Sequence, residues 1–98
     1  MQQDIRQAIP KSYTQIDIAT KENGFTMPSD ILTCSLLRTL AAAKPNAKFL
    51  ELGTGTGLST SWILDGMDSN STLVSIDNDP VLLQIAAHHL GDDTRLTL

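Results

Sequence analysis

The apolar run Lys48-Phe49-Leu50 continues into Glu51-Leu52 and is followed at once by Gly53-Thr54-Gly55-Thr56-Gly57. A short apolar run bounded by turn residues reads as a buried strand. Glycine at every second position gives the chain that follows conformations other residues avoid. Leu58 to Leu64 then reads as a helix that stops before Asp65-Gly66. Strand, glycine-rich turn and helix in immediate succession leave few folds open. They point to alternating strands and helices around a parallel sheet.

The rest of the chain agrees with that reading. Thr72-Leu73-Val74-Ser75-Ile76 is a second strand, closed by Asp77. Asp79 can cap and Pro80 can open a helix carrying Val81, Leu82, Ile85, Ala86 and Leu90, with Gly91 closing it. Arg95 to Leu98 begins a third strand. Upstream, Ser29 and Asp30 suit the start of a helix whose expected apolar stripe is Leu32, Leu36, Leu37, Leu40 and Ala41, with Lys44 and Pro45 at its end. Residues 1–24 are polar with a weaker helical pattern through Tyr13, Ile16 and Ala19 or Thr20, ending at Asn23-Gly24. The expected architecture is α/β: a Rossmann-like parallel sheet with helices on its faces. The expected organisation is one domain over residues 1–98, with 1–24 as a helical extension and 25–98 as the sheet-bearing part.

In such sheets ligands bind beyond the carboxyl ends of the strands. Gly53, Gly55 and Gly57 lie there, and the helix from Leu58 aims its free N–H groups at the same place. A dinucleotide fingerprint would need its third glycine at position 58, which is Leu58; the glycine stands at 57 instead. Glu51 at the rim would repel a pyrophosphate and attract an ammonium group. Asp77 lies 20 residues past Gly57, a separation suited to ribose hydroxyls. A ligand with a ribose, an ammonium, a carboxylate and a positive centre is S-adenosylmethionine.

The segments "FLELGTGTGLSTSWI" and "LVSIDNDP" resemble the first two motifs of the class I S-adenosylmethionine-dependent methyltransferases. With the upstream "SDILTCSLLRTLAAAKP" they resemble the N-terminal half of the O-methyltransferase branch, which includes the catechol and caffeoyl-coenzyme A enzymes. The resemblance implies that Glu51 orders the loop and contacts the methionine end of the cofactor. It implies that Gly53, Thr54 and Gly55 pass beneath the cofactor, Gly57 packs helix on strand, and Ser59 holds the methionine carboxylate. Asp77 would take the ribose hydroxyls and Asn78 would lie near the adenine, with Met27 near the amino-acid end. It also implies a sheet of which the chain carries about three strands out of seven. The catalytic groups and any divalent-metal ligands would fall outside residues 1–98, and no catalytic residue is assigned.

The expected function is therefore the S-adenosylmethionine-binding part of a methyltransferase acting on oxygen of a small molecule in the complete enzyme. The chain alone is expected to be inactive. A non-catalytic cofactor-binding or subunit-interaction module derived from a truncated methyltransferase is the alternative, and a nicotinamide-dinucleotide binder is disfavoured by Glu51 and the glycine spacing. In that topology the first strand is central, so an incomplete sheet leaves it an unpaired edge, and self-association there into a homo-oligomer is expected.

The net charge of -4 disfavours nucleic acid and anionic membranes as partners. Cys34 is the single cysteine, so no internal disulfide can form, and it reads as a small buried hydrophobe. No stretch approaches the roughly 20 apolar residues of a membrane span, and "MQQDIRQAIPKS" lacks a signal-peptide core. A cytoplasmic protein is expected. His88 and His89 are neighbours on a helix, pointing apart, and read as complements to its negative end rather than metal ligands. Trp62 is expected to pack its helix on the sheet.

Overall fold

The structure is a computed structural model that describes residues 9–24 and 31–98. Met27, Ser29 and Asp30 lie outside the described residues. The elements run α1 (Lys11–Glu22), α2 (Ile31–Ala42), β1 (Lys48–Leu52), α3 (Leu58–Gly66), β2 (Thr72–Ile76), α4 (Pro80–Leu90) and β3 (Leu96–Thr97). The strands form one parallel sheet in the order β1-β2-β3. Lys48 stands opposite Thr72 and Leu52 opposite Ile76. Because β1 and β2 end level, the glycine loop and Asp77 leave the sheet side by side.

Alternation along the strands separates two faces. Phe49 and Leu73 point into a core completed by Tyr13, Ile16, Leu58, Trp62 and Leu90 from the helices. On the other face Leu50, Leu52, Val74 and Ile76 are 41 to 77% exposed. The described helices thus gather on one face of the sheet, where the sequence suggests cover on its faces. The outer edge of β1 has no strand partner among the described residues.

Local chemistry explains the elements. Asp79 accepts hydrogen bonds from the N–H groups of Val81 (3.0 Å) and Leu82 (3.3 Å), with Pro80 in the first turn, so α4 begins where the sequence places it. α1 buries Tyr13, Ile16 and Thr20, the expected face, which seats it in the core. α2 departs from expectation. Its buried residues are Cys34 and Ala41, while Leu32, Leu36 and Leu40 are 74, 56 and 52% exposed. The reason is how closely α2 meets α3. A methyl placed on Gly66 would lie 2.2 Å from the carbonyl oxygen of Arg38. Helices that approach so closely bury small side chains and turn their leucines aside. α3 accordingly runs on through Asp65 and Gly66, beyond its expected end.

Trp62 is fully buried where three helices meet. Its ring meets Tyr13 of α1 edge-on at 5.9 Å, and the Arg38 guanidinium of α2 lies over it at 4.5 Å. It therefore ties helix to helix as well as helix to sheet. Arg38 also pairs with Asp65 at 3.1 Å.

The α2–α3 contact yields a prediction of unusual sign. Glycine to alanine inside a helix ordinarily stabilises by about 1 kcal/mol. Gly66→Ala should instead destabilise by about 1–3 kcal/mol, because its methyl meets backbone rather than a movable side chain. Thermal unfolding followed by circular dichroism checks it; an unchanged or raised midpoint contradicts the tight contact.

Candidate functional site

The loop after β1 begins by crossing to β2. The N–H groups of Gly53 and Thr54 both reach the carbonyl of Ile76, at 2.7 and 3.1 Å. Gly53, Gly55 and Gly57 have φ of 91°, 55° and 98°. Gly57 sits in the left-handed region as N-cap of α3, a conformation that penalises any side chain. It also lacks room, since an added methyl would lie 2.9 Å from Leu90 and 3.2 Å from Ala86. Gly57 thus packs the loop on α4 as well as opening α3. Gly53 and Gly55 differ: a methyl on either would meet nothing within 4 Å. The backbone there faces open space.

Beneath the loop the Glu51 carboxylate collects hydroxyls from two other elements. Ser59 donates to Oε2 at 2.6 Å, and Thr60 and Ser75 donate to Oε1, the latter at 2.6 Å. Thr54 Oγ1 lies 2.6 Å from Ser75 Oγ. The one proton of Ser75 goes to Glu51, so Thr54 is the donor in that pair. The hydroxyls of Ser59, Thr60 and Ser75 therefore point at one carboxylate, and Thr54 joins them through Ser75. A carboxylate offers about four acceptor positions, and three are taken. Thr54 is buried, with its hydroxyl turned into the protein, so its exposure to a ligand is through its backbone.

Asp77 holds the loop from the neighbouring strand. Its Oδ2 accepts the Gly55 N–H at 2.8 Å and its Oδ1 accepts the Asp79 N–H at 2.9 Å. Backbone N–H groups, Gly55 first, then Asp79 and Asn78, hold its carboxyl below the usual value of 3.8 against the opposing effect of burial. The carboxylate stands at the carboxyl end of the sheet, beside the loop. Asn78 follows, exposed. No side chain caps the N-terminus of α3, in contrast to α4, so its first turn presents N–H groups toward the loop.

The fold thus brings Glu51, Gly53, Thr54, Gly55, Gly57, Ser59 and Asp77 together around one loop, with Asn78 beside it. Sequence reasoning missed Thr20, Thr56, Thr60 and Ser75. Thr20 of α1 lies 2.8 Å from Thr56 of the loop, both hydroxyls buried. A serine inside the otherwise apolar β2 is the one available sequence signal. The rings of His88 and His89, expected to point apart, meet each other edge-on with centroids 4.8 Å apart. No cluster of three or more metal-ligating side chains occurs among the described residues. Cys34 is buried, and no described helix is long and apolar enough to cross a membrane.

The Asp77–Gly55 bond makes the loop acid-sensitive. The folded pKa lies below the unfolded one, so this stabilisation is complete above the ordinary carboxylate value and is lost as pH falls through the lowered one. The Gly55 amide proton resonance should titrate with a midpoint below 3.8, and Asp77→Asn should abolish that step. A midpoint at or above 3.8 contradicts the bond.

Comparison with known proteins places this geometry. The family model described as protein-L-isoaspartate(D-aspartate) O-methyltransferase matches residues 5–96. A protein of Mycobacterium avium (strain 104), named "Putative O-methyltransferase", is 38% identical over 63 residues, covering 64% of this chain and 27% of the relative. The chain therefore spans about a quarter of such a relative's length. Among solved structures, the O-methyltransferase TomG from Streptomyces achromogenes, determined with S-adenosylmethionine, superposes with a TM-score of 0.79 at 21% identity, covering 98% of this chain and 42% of TomG. An O-methyltransferase from Bacillus cereus, solved with S-adenosylhomocysteine, gives 0.75 at 18% identity, covering 98% and 43%. These likenesses bear out the Rossmann-like methyltransferase fold. With the family model matching nearly the whole sequence, the chain belongs to the protein-L-isoaspartate(D-aspartate) O-methyltransferase family.

Proposed function

We propose that this chain is the S-adenosylmethionine-binding part of a methyltransferase that, in the complete enzyme, methylates oxygen of a small molecule. The observation that carries the reading is the open backbone at Gly53 and Gly55 with the Asp77 carboxylate beside it. That ledge fits the cofactor. A ribose can lie against main chain where no side chain intrudes and give a hydroxyl proton to Asp77. TomG, named for tomaymycin synthesis, and the Bacillus cereus enzyme, solved with the demethylated cofactor, support the cofactor and the small-molecule class.

Residue roles follow from the hydrogen bonds. Glu51 orders the loop through Ser59, Thr60 and Ser75, with one acceptor position left for the ammonium group. Ser59 gives its proton to Glu51, so its backbone N–H, in the first turn of α3, is the better donor to the methionine carboxylate. Asn78, exposed beside Asp77, would meet the adenine. When bound, the cofactor supplies a methyl group already activated on a sulfonium centre; the protein's part is to hold the donor in position.

A second reading, a non-catalytic cofactor-binding or subunit-interaction module, is favoured by the exposed Leu50, Leu52, Val74 and Ile76 and by the edge of β1, which has no strand partner among the described residues. An exposed apolar strand edge invites pairing with another chain.

Two measurements test these readings. Calorimetric titration with S-adenosylmethionine should show binding, weakened about 10- to 100-fold in Asp77→Ala, as expected for lost hydrogen bonds to a charged group. No binding by the folded chain, or tighter binding of a reduced nicotinamide dinucleotide, defeats the cofactor assignment. Sedimentation should show the chain as a dimer or larger, and Leu52→Lys should return it toward the monomer; a monomeric parent chain removes the edge-pairing proposal.

A further inference from the structure

We infer that Thr20 of α1 is a positioning residue that holds the second half of the glycine loop in its binding conformation. The alternation Gly53-Thr54-Gly55-Thr56-Gly57 distributes two tasks. The glycines bend through positive φ and carry no side chain to grip the protein. The threonines between them supply the grip, and each reaches a different element. Thr54, 3% exposed, bonds Ser75 of β2. Thr56, 6% exposed and flanked by Gly55 and Gly57, bonds Thr20 of α1, itself 4% exposed.

Thr20 is the donor in this second contact. Its Oγ1 lies 2.6 Å from the carbonyl oxygen of Ile16, one turn back on its own helix, and 2.8 Å from Thr56 Oγ1, so its one proton is shared between helix and loop. A β-branched residue is a poor choice for the interior of a helix. Here its hydroxyl reaches from the helix to the loop. Tyr13 and Ile16 seat α1 in the core, so that hydroxyl is held by packed side chains. Water has little access to replace it, and a buried hydroxyl left without a partner pushes its segment toward other conformations. α1, which lies outside the strand-helix alternation, thereby becomes part of the ligand site without touching a ligand.

The ligand consequence rests on the S-adenosylmethionine reading; the loop consequence does not, and the test separates them. Thr20→Val keeps shape and removes the hydroxyl, whereas Thr20→Ser keeps it. The first measurement is amide hydrogen exchange at Gly57, whose N–H bonds the Thr54 carbonyl at 3.0 Å within the loop. Exchange there should quicken about two- to tenfold in Thr20→Val, the scale of one lost hydrogen bond, and stay near the parent rate in Thr20→Ser. Exchange at Leu73, whose N–H bonds the Arg95 carbonyl at 2.8 Å in the sheet, should not change. The second measurement is titration with S-adenosylhomocysteine, which should weaken by a similar factor in Thr20→Val only. Unchanged Gly57 exchange in Thr20→Val, or an equal rise at Leu73, overturns the positioning role. Failure of the parent chain to bind S-adenosylhomocysteine overturns the cofactor reading alone, because the exchange comparison still decides the role of Thr20.

Discussion

The Glu51 carboxylate is the interaction on which the rest of the site depends. It stands inside β1, where an apolar side chain would pack more cheaply, and it collects hydroxyls from both α3 and β2. Hydrogen bonds to an ionised acceptor are shorter and stronger than neutral ones. Three of them converging on one group fix the strand that enters the loop, the helix that leaves it and the strand beside it. A loop with three glycines has high conformational entropy in the unfolded chain, and ordering it is correspondingly costly. The carboxylate offsets that cost from below, while Asp77 holds Gly55 from the side. The glycine loop is mobile in principle and fixed in this structure because polar side chains around it are almost fully engaged.

Local signals made much of this readable from sequence. β2, α4 and the Asp79 cap were legible because a β-branched run, a capping residue and a proline act within a few residues of one another. The loop and Asp77 were legible because glycine spacing and a carboxylate at a strand end carry their own chemistry. What the sequence hid was long-range. Periodicity identified an apolar stripe on α2, yet counting leucines does not reveal that Gly66 draws the helix in on its small face, so Leu32, Leu36 and Leu40 turn outward. Trp62 was recognised as a packing residue, but its contacts with Tyr13 and Arg38 join segments more than twenty residues apart. The hydroxyl pairs of Thr20 with Thr56 and Thr54 with Ser75 were hidden for the same reason.

The exposed sheet face and the α2 leucines describe one situation. The three-stranded sheet buries its helix-facing side chains well and leaves Leu50, Leu52, Val74 and Ile76 in contact with solvent. The chain covers less than half of TomG and about a quarter of its mycobacterial relative. The glycine loop, Glu51 and Asp77 are held together within the described residues, while apolar surface of the kind that normally lies inside a domain faces outward.

The glycines of the loop also differ in what they would tolerate over evolutionary time. At Gly53 and Gly55 the protein itself imposes backbone handedness alone, since no protein atom crowds either, and the proposed cofactor would add a second constraint. Asparagine or aspartate, which visit that region at modest cost, could enter there without disturbing the packing. At Gly57 handedness and crowding act together, because Leu90 and Ala86 occupy the place of any side chain. A replacement at Gly57 would need a compensating change on α4. Sequence drift in this loop should therefore be independent at its first two glycines and coupled to the far helix at its last.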